Sequence, residues 1–273
     1  MITCQSCGDP RQDKFCPNCG EKKFNAGSLA IGHLIGETFE GLSHFDTRFF
    51  RSLKTLLIRP AELSVQFCNG ITVRYMKPFS FFLVANLIFF LVSFQNPFGL
   101  PIYNYMNYEY KPFNTRANAR EAVVAKLRVS KLTEKELATA FNEKIRSSSK
   151  IFIALFIPFF AIVFALVFVD RRRRFGEHLV FATHLMTFLI CLFLIEKTIL
   201  SLLHLAFPSE LSDLLVSSIV GLIFLTYLSV AVHRFYVKNW WRAILSSLVI
   251  VVLLAIAMQT YRIFLFYKVL NAI

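Results

Sequence analysis

Four consecutive arginines, Arg171 to Arg174, lead into an apolar run that extends from Glu177 to Phe207. A run of this length needs a lipid environment and folds there as a helix, because in hydrocarbon the backbone must satisfy its own hydrogen bonds. The arginines mark the cytoplasmic end of such a helix, since short loops rich in Lys and Arg stay inside. The same run carries Glu177, His178, His184, Glu196, Lys197 and His204. Ionisable groups in a membrane helix cost about 2.5–3.5 kcal/mol each on insertion scales, so they face the protein interior and pair there. They form the candidate intramembrane polar site.

Further apolar stretches recur at 79–94, 151–169, 214–236 and 240–266, the last opened by Trp240-Trp241 at an interface. The chain is 56% hydrophobic, with 31 phenylalanines, above the level of soluble domains. The expected fold is therefore an all-α integral membrane protein with about five transmembrane helices over residues 79–273. Pro158 lies inside the second of them and predicts a kink. Residues 95–150 form an extracytoplasmic segment with one helical pattern over about 115–145.

The first 24 residues differ in kind. Cys4-Gln5-Ser6-Cys7-Gly8 and Cys16-Pro17-Asn18-Cys19-Gly20 are two C-x-x-C-G knuckles. Two cysteines three apart on a tight turn aim both sulfurs at one ion, and the glycine supplies the positive φ that the turn needs. Cys4, Cys7, Cys16 and Cys19 then close a tetrahedral four-thiolate site, which suits structural zinc. Iron and redox dithiols are the alternatives. Residues 21–27 read as a linker.

Residues 28–78 read as amphipathic juxtamembrane helices. Ile31, Leu34, Ile35, Phe39 and Leu42 have helical spacing, and Ser43 and Asp46 form a capping box for a second helix. That second helix places Phe45, Phe49, Leu53, Leu56 and Leu57 on one side and Arg48, Arg51, Lys54 and Arg59 on the other. Such a helix fits the bilayer interface or packs on the protein's own bundle. Pro60 predicts the start of a third helix running to about Phe67.

The run Leu53, Leu56-Leu57-Ile58-Arg59-Pro60, Phe67, Gly70, Arg74-Tyr75 and Pro78-Phe79 resembles a bacterial membrane family known as domain of unknown function 3667. Glu177 to His184 resembles a later block of the same family. The resemblance implies a four-cysteine zinc ribbon ahead of a multi-pass membrane region, with no activity assigned. Where the family carries a basic residue after the glycine, this chain has Ile71-Thr72. That departure argues against phosphate or headgroup binding by the turn.

Net charge is +13. Its placement beside apolar segments points to topology and anionic lipid, with Arg74, Tyr75 and Arg171 to Arg174 as the contacts, rather than to nucleic acid. The predicted location is the bacterial cytoplasmic membrane, N-terminus inside and C-terminus outside, with the cysteines in the reducing compartment. The expected role is a zinc-ribbon-bearing binding or assembly protein with a cytoplasmic protein partner. Transport of a small solute or ion through the third transmembrane helix is the alternative, and a lipid-acting enzyme a second. No ordered Ser/His/Asp set, phosphate loop or paired carboxylates supports an enzyme.

Overall fold

In the computed structural model the described residues are 2–11, 14–23, 47–92, 99–107, 115–152, 155–169, 173–206 and 210–273. The predicted helix at 31–42 and its Ser43/Asp46 capping box lie outside them. The described chain forms two compact units, residues 1–92 with 156–250, and residues 93–155 with 251–273.

The first unit begins with a two-stranded antiparallel ribbon, β1 (Ile2–Thr3) and β2 (Pro10–Arg11). Three helices follow, α1 (Thr47–Ile58), α2 (Glu62–Cys68) and α3 (Pro78–Val92). Helix α2 starts two residues beyond Pro60. Ala61 takes φ 64°, the left-handed region, and this reverses the chain between α1 and α2 before the next helix can start.

The face of α1 that turns inward is Phe49, Ser52 and Leu56, packed towards α2 and the long helix described next. Phe50 and Ile58 stay exposed at 67% and 65%, beside exposed Arg48, Arg51 and Lys54. One side of α1 thus serves the bundle. The other mixes Phe and Ile with snorkelling cations, the composition of an interfacial surface.

The unit is assembled around α8 (Phe175–Ala206), preceded by α7 (Phe156–Val167) and followed by α9 (Glu210–Phe235). Helices α1, α2, α3, α7 and α9 all pack on α8. Its partners explain its even hydrophobicity: Val180, Ala182 and Ile190 are fully buried on different sides of the helix. Pro158 sits in the first turn of α7, where its missing N–H breaks no intrahelical bond. The described helix therefore needs no kink there.

Helix α10 (Trp240–Asn271) begins in the first unit and continues into the second. Helices α8, α9 and α10 contain the three segments long and apolar enough to cross a membrane: Phe175–Leu203, Leu215–Phe235 and Trp240–Asn271. At 1.5 Å per residue, a 32-residue helix such as α8 or α10 is about 48 Å long against a hydrocarbon core of about 30 Å. Helices α3 and α7, with 15 and 12 residues, reach only about 22 and 18 Å. The exposed side chains of α9 and α10 include the apolar Leu222, Ile223, Leu245, Val249 and Val252.

The second unit contains α4 (Ile102–Asn107), α5 (Thr115–Val129) and α6 (Glu134–Phe152). The single helical pattern expected here is split. Thr133 caps α6, its backbone N–H and hydroxyl each donating to Glu136 at 2.8 Å, while the Glu136 N–H donates back. Those two bonds from Thr133 hold the Glu136 carboxyl below its ordinary pKa. The core joins Tyr105, Val123, Leu137, Phe141 and Ile145 to Leu265, Phe266 and Val269 of α10.

Candidate metal centre and buried polar pairs

The two knuckles have the same construction. Gly8 N–H donates to the Cys4 carbonyl and Gly20 N–H to the Cys16 carbonyl, both at 2.9 Å. Cys4 N–H donates to the Asp9 carbonyl at 2.8 Å and Cys16 N–H to the Glu21 carbonyl at 2.9 Å. Gly8 and Gly20 carry φ 83° and 72°, so each knuckle turns through a conformation that a side chain would strain. The side chains of Asn18 and Asp9 hydrogen-bond from one knuckle to the other.

All four sulfurs lie within 4.8 Å of one another. Cys4 to Cys19 and Cys7 to Cys16 are both 3.6 Å. A tetrahedral ion with bonds of about 2.3 Å requires sulfurs about 3.8 Å apart, so the set fits a four-thiolate metal. It does not fit disulfides, whose sulfurs are about 2.05 Å apart. The thiols also differ among themselves. Burial opposes ionisation of Cys4, but the N–H groups of Cys7 and Ser6 and the neighbouring thiols outweigh it and lower its pKa to about 7. At Cys7 the Asp9 N–H favours the thiolate, yet burial and the three other cysteines push the pKa up to about 12. The opposite shifts of Cys4 and Cys7 set apart the two thiols of one knuckle.

Glu21, read from sequence as linker, is the residue that fixes this ribbon in place. It is buried, 1% exposed. Its Oε2 accepts from the backbone N–H groups of Thr72 and Val73, both at 2.9 Å, and its Oε1 from the Thr72 hydroxyl at 2.6 Å. A long-range contact of one loop residue with another leaves no periodic trace in the sequence.

The ionisable residues around α8 do not gather into one site. Glu177 pairs with Arg173 at 3.5 Å and accepts the Arg174 N–H at 3.2 Å. His178 Nδ1 bonds the Tyr236 hydroxyl at 2.9 Å, and the two rings stack at 13°. His184 Nδ1 meets the Ser64 hydroxyl of α2 at 2.9 Å, and its buried Nε2 has no hydrogen-bond partner among the described residues. Glu196 accepts from the Ser217 hydroxyl at 3.0 Å. Lys197 is half-buried, and His204 lies near the end of α8.

Arg171 and Arg172 fall outside the described residues. Arg173 donates to the Phe235 carbonyl and lies 4.0 Å over the Phe235 ring. The Arg74 guanidinium lies 5.6 Å from the centroid of its neighbour Tyr75, whose ring is buried.

Sequence reasoning missed the groups that tie α1 and α2 to the long helices. Tyr227 of α9 donates to the Leu56 carbonyl at 2.9 Å. Arg234 reaches the Pro60 carbonyl at 3.3 Å and Glu62 at 3.9 Å. Ser64 was legible only as a helix residue, yet it is fully buried against His184. Replacing Ser64 by alanine leaves both His184 nitrogens buried and unpaired, which costs about 1–3 kcal/mol. Thermal unfolding in detergent should show a drop of several degrees in the midpoint.

Residues 46–90, covering α1, α2, the turn after α2 and most of α3, match the family model described as protein of unknown function (DUF3667), and over this segment the chain resembles that family. No curated protein and no solved structure matches the chain.

Proposed function

We propose that the chain is a multi-pass protein of the bacterial cytoplasmic membrane whose ribbon holds structural zinc and presents a binding surface to a cytoplasmic protein. The observation that carries this reading is the Glu21 anchor. It fixes a four-thiolate module to the turn ahead of α3 and leaves the rest of its surface open. Phe15 is 54% exposed and pairs across the ribbon with exposed Lys22, next to exposed Lys14. An aromatic side chain between cations is a surface suited to an acidic partner segment. The test is a photo-crosslinking residue at Phe15 in cells. A discrete protein adduct that disappears on Lys14→Glu with Lys22→Glu supports the reading. Crosslinks to lipid alone reject it.

The same reading sets the topology. Charge places Arg173, Arg174 and Arg234 inside. The contacts of Arg234 with Pro60 and Glu62 support putting residues 47–68 on that side. Charge also places the end of α10 outside, and residues 102–145 share a core with that end. This supports five crossings, with α3 and α7 as short ones. Reporter fusions check it. An alkaline phosphatase fused after Ile273 or inserted near residue 110 should be active, and one inserted near Arg173 inactive. An inactive insertion near 110 would leave only three crossings.

One observation favours a second reading, passage of a small ion or solute along α8. It is the buried, unpartnered Nε2 of His184. Flux into proteoliposomes that is unchanged by His184→Ala would remove that reading.

A further inference from the structure

The contact between Glu21 and the turn after α2 has the form of ligand recognition. Two successive N–H groups, Thr72 and Val73, converge on one carboxylate oxygen, and the Thr72 hydroxyl takes the other. Gly70, with φ 84°, starts the turn that presents them. Successive backbone N–H groups after a left-handed residue make a concave anion site, with no basic side chain required. Such a site distinguishes poorly between a carboxylate and a phosphate, since each offers two or more oxygens in a fork.

The chain that follows the turn is bonded to α1. Met76 N–H donates to the buried Ser52 hydroxyl at 2.9 Å, and the Arg51 guanidinium to the Arg74 carbonyl at 3.4 Å. These bonds tie the segment just after the donors to α1 independently of Glu21. Arg51 and Arg74 are exposed, and Lys77 is the next basic residue before Pro78 opens α3.

We propose that the turn Gly70–Val73 is an oxyanion-binding site for a phosphate group, and that Glu21 of the ribbon is its built-in competitor. The ribbon covers the site while the four cysteines hold their metal. Losing the metal removes what shapes the second knuckle, Glu21 departs, and the site becomes open to phosphate. The ligand is inorganic phosphate or the phosphate of a lipid headgroup, since both present the same oxygens. The proposal relies on the metal-bearing ribbon only for the trigger, and the turn is testable without it.

The experiment is hydrogen–deuterium exchange of the peptide containing Thr72 and Val73 in the full-length protein, purified in maltoside detergent. Wild type should exchange slowly at these amides. Glu21→Ala should exchange on the order of tenfold faster. Adding millimolar inorganic phosphate to Glu21→Ala should restore slow exchange. Phosphatidylglycerol nanodiscs in phosphate-free buffer form the second arm. Protection there assigns headgroup binding, and protection by inorganic phosphate alone assigns the free ion.

Fast exchange in Glu21→Ala under both conditions would overturn the site. So would exchange in wild type as fast as in the variant. A third arm uses wild type stripped with a chelator, which needs no substitution. It should behave as Glu21→Ala does, and slow exchange after stripping would overturn the trigger. A chain that binds no metal at all would defeat the zinc reading, while the Glu21→Ala arms would still decide the turn.

Discussion

Full-length protein carrying Cys4→Ser and Cys7→Ser should retain no metal, against one ion per chain in wild type, by elemental analysis after gel filtration. The reason is energetic. Structural zinc contributes about 10–16 kcal/mol of apparent binding energy to peptides of this kind. The ribbon has almost no apolar core of its own. Among its described residues the buried ones are Cys4, Cys16 and Glu21. Two serines leave two thiolates and no closed tetrahedron. The ribbon should then be cut rapidly by protease, while the bundle around α8 still inserts, because its core is Phe82, Phe164, Phe181 and their neighbours. Retention of one ion in the double variant would refute the site. In wild type, metal should be lost more easily to a competing chelator as pH falls, because protons compete for the same four sulfurs.

Phe141→Ala should open the second unit. The Phe141 ring is fully buried and packs with Phe266 at 5.5 Å and Tyr105 at 6.2 Å. Removing a buried ring typically costs about 3–5 kcal/mol, and little of the surrounding aromatic packing can collapse into the space. Trypsin should cleave between Arg116 and Arg146 in the variant in detergent and spare the wild type. Metal content should stay unchanged. Val124→Ala, at a 47% exposed position of α5, provides the control and should change stability by no more than about 0.5 kcal/mol. Wild-type resistance in Phe141→Ala would mean that residues 102–145 do not depend on this core.

The sequence revealed what has local or periodic causes. The four cysteines declare themselves by spacing, and the structure brings their sulfurs together. Apolar length revealed α8, α9 and α10 as membrane-long helices. Boundaries failed where backbone conformation or capping decides them. Ala61 moves the start of α2, and Thr133 with Glu136 divides the 115–145 pattern. The stripe of ionisable groups was visible as composition, but partners on other elements determine what each does. Ser64, Tyr236 and Ser217 are 120, 58 and 21 residues from the groups they meet. At the turn after Gly70 the missing basic residue spoke against phosphate or headgroup binding, and the backbone donors that hold Glu21 there are encoded by no side-chain pattern.

The central position of α8 also constrains the order in which the protein can be made. Chains leave the ribosome N-terminus first. Helices α1, α2, α3 and α7 precede α8 and pack on it, so they are made before their common partner exists. Helices α3 and α7 are shorter than the hydrocarbon core is thick and gain their setting from that partner. The contacts of these early segments with α8 can form in full only once about residue 206 has emerged. Completion of one helix therefore decides when the first unit can close.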